Sequence, residues 1–95
     1  MVTIRWSDDA LEDLDAISQY ISQDAPENAK LFVKKVFEKV EYISDFPYAG
    51  RQVPEKGNKN LREILYNKYR IIYEIKEDIL EVLTIIHQSR ILNLK

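Results

Sequence analysis

At 95 residues the chain is the size of one domain, and 14 basic against 16 acidic side chains leave a net charge of −2. A hydrophobic content of 45% with only two glycines and three prolines excludes disordered and collagen-like structure. The absence of cysteine excludes disulfides and thiolate metal sites, and a single histidine cannot by itself build a zinc site.

No HExxH or EF-hand pattern is present, so neither a metal nor a cofactor is expected. No apolar run approaches the ~20 residues of a membrane span. The N-terminus lacks the basic-then-apolar layout of a signal peptide. The expected location is therefore the cytoplasm, with no membrane partner. The small net charge hides an asymmetry. Residues 1–47 hold five Lys/Arg against ten Asp/Glu, and residues 48–95 hold nine against six. A basic C-terminal half provides one region able to meet an anionic partner.

In chain order, Val2, Ile4 and Trp6 alternate with Thr3 and Arg5, the period of a half-buried strand. Ser7 is placed as an N-cap, with Asp8, Asp9 and Glu12 at the positive end of a helix dipole. Ala10, Leu14, Ile17 and Ile21 then recur at helical spacing, predicting a helix over about residues 8–22. Gln23-Asp24-Ala25-Pro26 breaks it, and Pro26 suits the first turn of a second helix. That helix carries one apolar stripe of Ala29, Phe32, Val33, Val36, Phe37, Val40 and Ile43, with lysines and glutamates opposite. Two amphipathic helices so closely linked form an antiparallel hairpin.

Phe46-Pro47-Tyr48-Ala49-Gly50 ends the second helix, and residues 51–60 read as the one real loop. Three strands follow, over residues 61–66, 69–75 and 79–87, joined at Asn67-Lys68 and Glu77-Asp78. Connections this short require antiparallel neighbours. The first strand must join the same sheet or leave its apolar face uncovered. The expectation is an α+β fold in the order β-α-α-β-β-β, a small, mainly antiparallel sheet with the helical hairpin on one face, in a single domain over residues 1–95.

Alternation sorts the strand residues by face. Arg62, Ile64 and Tyr66 oppose Leu61, Glu63 and Leu65; Tyr69, Ile71, Tyr73 and Ile75 oppose Arg70, Ile72, Glu74 and Lys76. Strict alternation also sets Ile79, Glu81, Leu83, Ile85 and His87 against Leu80, Val82, Thr84 and Ile86. The face away from the helices could present Arg62 or Arg70 beside tyrosines, a combination suited to phosphate and stacked bases. Against that stands a structural reading: Tyr66, Tyr69 and Tyr73 as core-edge aromatics, and arginines paired across strands with Glu63, Glu74 or Glu81. For Arg70 and Arg90 both readings stay open. His87, with Arg90 three residues on, has the chemistry of a general acid or base but also that of a hydrogen-bonding strand end. Asp8, Asp9, Glu12, Asp13 and Asp15 are explained by the helix dipole rather than by metal binding.

The series Ile4-Arg5-Trp6-Ser7, Ala10, Asp13-Leu14, Ile17 and Tyr20-Ile21 resembles the first helix of the RelE/ParE superfamily of type II toxin–antitoxin toxins. The resemblance continues through Phe46-Pro47, Gly50-Arg51, Val53-Pro54-Glu55, Leu61-Arg62-Glu63, Tyr69-Arg70-Ile71-Ile72-Tyr73 and His87-Gln88-Ser89-Arg90, in order and at normal spacing from residue 4 to about 92. It implies the same fold and one of two activities. RelE-like members cut mRNA in the ribosome with sheet lysines and arginines and a C-terminal tyrosine or histidine. ParE-like members lack that set and poison DNA gyrase. Arg70 and Arg90 match the arginines of the RelE-type set, but its two sheet lysines correspond to Leu61 and Glu63, and its tyrosine would fall at or beyond residue 95. Gly50-Arg51 and the His-Gln-Ser-Arg ending resemble the ParE, or plasmid-stabilisation, branch.

The resemblance thus implies a gyrase inhibitor. The alternative is a ribosome-dependent mRNA endonuclease with Arg70, Arg90, Glu63 and His87 as catalytic residues. The implied partners are a cognate antitoxin and either DNA gyrase or the ribosome with mRNA, with a toxin–antitoxin hetero-oligomer as the assembly. Arg51, Arg62, Arg70 and Arg90 are expected to contact target or antitoxin, and Leu11, Tyr20, Phe32 and Leu80 to lie partly exposed where an antitoxin segment docks. Arg70 is expected to be exposed, so that its removal spares folding.

Overall fold

The computed structural model describes residues 2–92. The elements are β1 (Thr3–Trp6), α1 (Asp8–Ser22), α2 (Pro26–Asp45), β2 (Arg51–Gln52), β3 (Leu61–Tyr66), β4 (Tyr69–Lys76) and β5 (Ile79–His87). They form one five-stranded sheet in the order β1-β5-β4-β3-β2. Every pairing is antiparallel except that of β1 with β5. The α+β fold and the mainly antiparallel sheet read from periodicity are those observed. One element differs: the expected loop opens with β2, whose Arg51 and Gln52 pair with Glu63 and Arg62. Two residues are too short to show a period, and only their partner strand defines them.

The helices cover one face of the sheet. Ala10 and Leu14 of α1 and Phe32, Val36, Val40 and Ile43 of α2 meet Ile71, Tyr73, Ile75, Leu80, Val82 and Ile85 in one buried cluster. Phe32 lies between Tyr66 and Tyr69, with ring centroids 5.6 and 5.4 Å away. Tyr66, Tyr69 and Tyr73 are therefore core and core-edge aromatics, and among the described residues they form no arginine–tyrosine surface on the opposite face. Leu11 and Tyr20 are exposed as expected, but Phe32 and Leu80 are buried. Phe32 sits on the inner stripe of α2, and Leu80 is on a strand flanked on both sides.

Strict alternation fails once, in β5. Ile72 pairs with Thr84 and Tyr73 with Val82, so Leu83 is an extra residue in the ladder. This β-bulge shifts the pattern by one. Ile85 therefore joins Val82 in the helix-side core, while Leu83 packs behind the sheet with Ile86. Helix α1 supplies what the disrupted ladder lacks. The N-cap Ser7 accepts from the Ala10 N–H at 3.0 Å and donates its hydroxyl to the Leu83 carbonyl at 2.8 Å. One carboxylate oxygen of Asp13 accepts from the Ile85 N–H at 3.1 Å and from the Thr84 hydroxyl. The acid in the middle of α1 is thus a cap for the bulge.

The segment between α2 and β2 is held from below. Tyr73 donates its hydroxyl to the Pro47 carbonyl at 2.7 Å and accepts from the Gly50 N–H at 3.1 Å. Burial of that hydroxyl pushes its pKa up. A Cβ at Gly50 would meet the Tyr73 oxygen at 2.4 Å and the Glu63 carbonyl at 2.6 Å, so only glycine fits this approach.

Replacing Asp13 with Ala leaves the Ile85 N–H and the Thr84 hydroxyl without this partner. The expected cost is about 1–3 kcal/mol, read as a lower urea midpoint with an unchanged slope.

Candidate functional site

The face of the sheet away from the helices carries a short apolar patch and a chain of charges. Val53, Leu61, Ile72 and Leu92 form a second buried cluster, bordered by Leu83 and Ile86. Beside it, strand register places Arg51 opposite Glu63 and Glu63 opposite Ile72, with Arg70 two residues back along β4. Arg51, Glu63 and Arg70 therefore share this face.

Arg70 is only 5% exposed and Glu63 1%. Arg70 Nε donates to Glu63 Oε1 at 2.7 Å. Its Nη1 and Nη2 donate to the two oxygens of Glu55 at 2.8 and 2.7 Å, a bidentate fork. Nη1 also donates to the Arg90 carbonyl at 2.9 Å. The other oxygen of Glu63 accepts from Nε of Arg51, whose side chain is largely exposed. Glu55 Oε2 accepts from the Leu92 N–H at 2.7 Å. Arg51, Glu63, Arg70 and Glu55 thus alternate in sign along one line, and Glu55 passes the connection on to residues 88–92.

The charge states follow from these contacts. The Arg70 guanidinium, then the Leu92 N–H, hold the Glu55 carboxyl down at about 2, against an ordinary value of 4.5. Glu55, outweighing desolvation, and then Glu63 raise Arg70 above its ordinary value. Both stay charged throughout the neutral range.

The structure does not bring the four candidate arginines to one surface. Arg62 pairs with Tyr73 and faces the helix side. It donates to the carbonyls of Lys59 at 2.8 Å and Gly50 at 3.1 Å, and its guanidinium lies 5.0 Å from the Tyr48 ring. Arg62 therefore holds the chain around Gly50. Arg70 is buried rather than exposed, because loop and tail fold over it, so exposure no longer supports the expectation that its removal spares folding. Glu63, a catalytic candidate of the alternative reading, has both oxygens occupied by guanidinium donors. Arg90 is exposed. With Arg51, Glu55 and Arg70 it borders a cleft of about 380 Å³.

His87 lies beyond that cleft, in a neighbouring groove of about 330 Å³ that it shares with Asp13, Tyr69 and Arg90. Its Nδ1 accepts from the Ser89 N–H at 3.1 Å and lies 2.8 Å from the Ser89 hydroxyl. The ring meets Tyr69 edge-on, with centroids 5.7 Å apart. Of the four residues named for catalysis, Arg70 and Glu63 are tied together in the sheet, and His87 and Arg90 share a groove. Glu55 was missed by sequence reasoning. It sits in a loop with no period, and its only signal was its place in the Val53-Pro54-Glu55 series.

The fold is that of the RelE/ParE-type toxins. A chain of the chromosomal ParDE toxin–antitoxin system from P. aeruginosa superposes with a TM-score of 0.77, covering 92% of this chain and 96% of its own at 22% identity. The YoeB dimer from Staphylococcus aureus gives 0.63 over 90% and 95%, at 16% identity. The RelBE2 complex from Mycobacterium tuberculosis gives 0.58 over 90% and 96%, at 19% identity. At these identities the likeness concerns the fold alone. The sequence decides the family: residues 4–92 match the ParE toxin of type II toxin–antitoxin systems. The provisionally named toxin Y4kP of Sinorhizobium fredii is 35% identical, over 88% of this chain and 85% of its own length. The chain belongs to the ParE toxin family.

Two outcomes follow from the charge chain. Arg70→Ala leaves two glutamates without their shared partner, one of them buried, and should destabilise by about 3–5 kcal/mol in equilibrium unfolding. Because the folded pKa of Glu55 is depressed, its contribution is complete above about pH 4.5 and is lost as pH falls through about 2. The stability difference between wild type and Glu55→Gln should therefore shrink over that window in acid unfolding curves.

Proposed function

We propose that this type II toxin acts in the cytoplasm on DNA gyrase, blocking replication, and that a cognate antitoxin restrains it. The observation supporting this choice over RNA cleavage is the Arg51–Glu63–Arg70–Glu55 chain. Phosphodiester cleavage needs a proton acceptor and cations free to stabilise developing charge. Here Glu63 and Arg70 serve each other and the fold. A toxin working by protein contact needs neither group free.

The second reading, ribosome-dependent mRNA cleavage, is favoured by one feature: His87 and the exposed Arg90 line the same groove. In it, His87 would move the proton and Arg90 would hold the phosphate, without Glu63.

Antitoxin docking is supported on the helix side. A groove of about 390 Å³ between α2 and β3 is lined by Lys35, Glu38, Lys39, Tyr42 and Ile64. Beside it, β2 pairs with β3 only at Arg62 and Glu63, so Ile64, Leu65 and Tyr66 have no strand partner on that side among the described residues. An amphipathic helix followed by an extended segment suits such a groove and edge. Binding would stabilise the toxin by mass action.

The deciding experiment is purified toxin with gyrase, ATP and plasmid. Loss of supercoiling with accumulation of a cleaved complex is expected. Unimpaired supercoiling by a toxin that still arrests growth would sink the gyrase reading. Codon-linked cuts in translated message would establish the alternative. For the partner, charge reversal at Arg90 should weaken the antitoxin complex only if the basic end of the sheet is also covered. Reversal at Arg70 does not make a clean test, because that side chain is buried between Glu63 and Glu55.

A further inference from the structure

Residues 88–92 leave β5 and turn back across the open face of the sheet. The Gln88 N–H donates to the Lys68 carbonyl at 2.8 Å, and Gln88 Nε2 to the Asn67 carbonyl at 2.8 Å. The Arg90 N–H closes a turn onto the His87 carbonyl at 3.0 Å. Beyond that turn the segment is held by two side chains and one pocket. Arg70 donates to the Arg90 carbonyl, Glu55 accepts from the Leu92 N–H, and Leu92 is buried against Val53, Leu61 and Ile72. Ile91, between the two attachments, is 78% exposed.

The attachments are unequal in what they support. Arg70 is held to the sheet by Glu63, independently of the segment. Glu55 comes from a loop in which Pro54, Gly57, Asn58 and Lys59 are all exposed. Its carboxylate contacts both the Arg70 fork and the Leu92 backbone. The helix-side core makes no use of Glu55 or Leu92.

We propose that residues 88–92 form a strap, closed on Arg70 and Glu55, that opens as a unit while the sheet stays folded and uncovers the apolar side chains of Val53, Leu61 and Ile72 beside the Arg70–Glu55 ion pair. The closed strap is an autoinhibitory contact. It covers with the chain's own backbone and leucine a surface that, once open, presents the Arg70–Glu55 ion pair next to an apolar pocket. Local opening of this kind belongs to segments with few buried contacts, and Leu92 is the only described residue of the strap that is buried. The device is independent of whether gyrase or the ribosome is the target.

Amide hydrogen exchange on the full chain tests it. Glu55→Gln keeps the shape and removes the charge, while Leu92→Ala keeps the charges and removes the apolar anchor. Both variants should exchange the Arg90 and Leu92 amides at least tenfold faster than wild type, with the β4–β5 ladder amides unchanged within about twofold. Anilinonaphthalene sulfonate, which binds exposed apolar surface, should bind Leu92→Ala, in which the Arg70–Glu55 charges are unchanged, more strongly than wild type. Unchanged exchange at Leu92 in Glu55→Gln would show that Glu55 does not close the strap. Equal acceleration of the ladder would show that the segment unfolds only with the whole domain. Fast strap amides without added dye binding would show that opening uncovers no receptive surface. Any of these three results overturns the proposal.

Discussion

A guanidinium buried in a sheet must find partners for its donors, and Arg70 organises one side of this protein by doing so. Four of its five N–H groups are used, on Glu63, on both oxygens of Glu55 and on the Arg90 carbonyl. Those acceptors come from β3, from the loop after β2 and from the segment after β5. Arg51, through Glu63, adds β2. A buried ion pair is weak evidence of net stability, since desolvation offsets much of the attraction. Its influence is on arrangement: with the charge in place, few other paths for loop and tail leave the guanidinium satisfied.

The two faces of the sheet are built by different physics. On the helix side, amphipathic stripes of α1 and α2 bury a continuous core, and substitutions there are governed by volume and shape. On the other side no helix lies among the described residues, and the apolar cluster is small. Polar attachments complete it. The bulge at Leu83 links the two sides, because it delivers Ile85 to the helices and Leu83 to the back. Ser7 and Asp13 reach from α1 to satisfy the ladder where the extra residue disrupts it.

This arrangement changes how the basic C-terminal half is understood. An excess of arginine suggests an anion-binding face, but Arg62 holds the chain around Gly50 and Arg70 holds the back of the sheet. Arg51 is exposed yet bonded to Glu63, and Arg90 is the exposed arginine at the end of β5. Family membership follows from sequence over residues 4–92. The allocation of charge between fold and surface does not, and it bears most directly on which target the toxin meets.

Much of the fold was legible in the sequence because it rests on local rules. Helical spacing from Ala10 to Ile43, the cap at Ser7, the break before Pro26 and two-residue turns at Asn67 and Glu77 each depend on near neighbours. They determined the element order and an antiparallel sheet backed by a helical hairpin. Strict alternation separated Arg70 from Tyr69 correctly, but it could not see an extra residue at Leu83, which exists only relative to the partner strand. Nor could it give β2, two residues defined by the register of β3. The site was less legible for the same reason. Residue type marked Arg70 and Glu63 as candidates, while the burial of Arg70 depends on Glu55, 15 residues away in a loop without period, and on a tail folding back over it. Whether a charge is offered to a partner or consumed by the fold is decided by long-range packing, which no local pattern encodes.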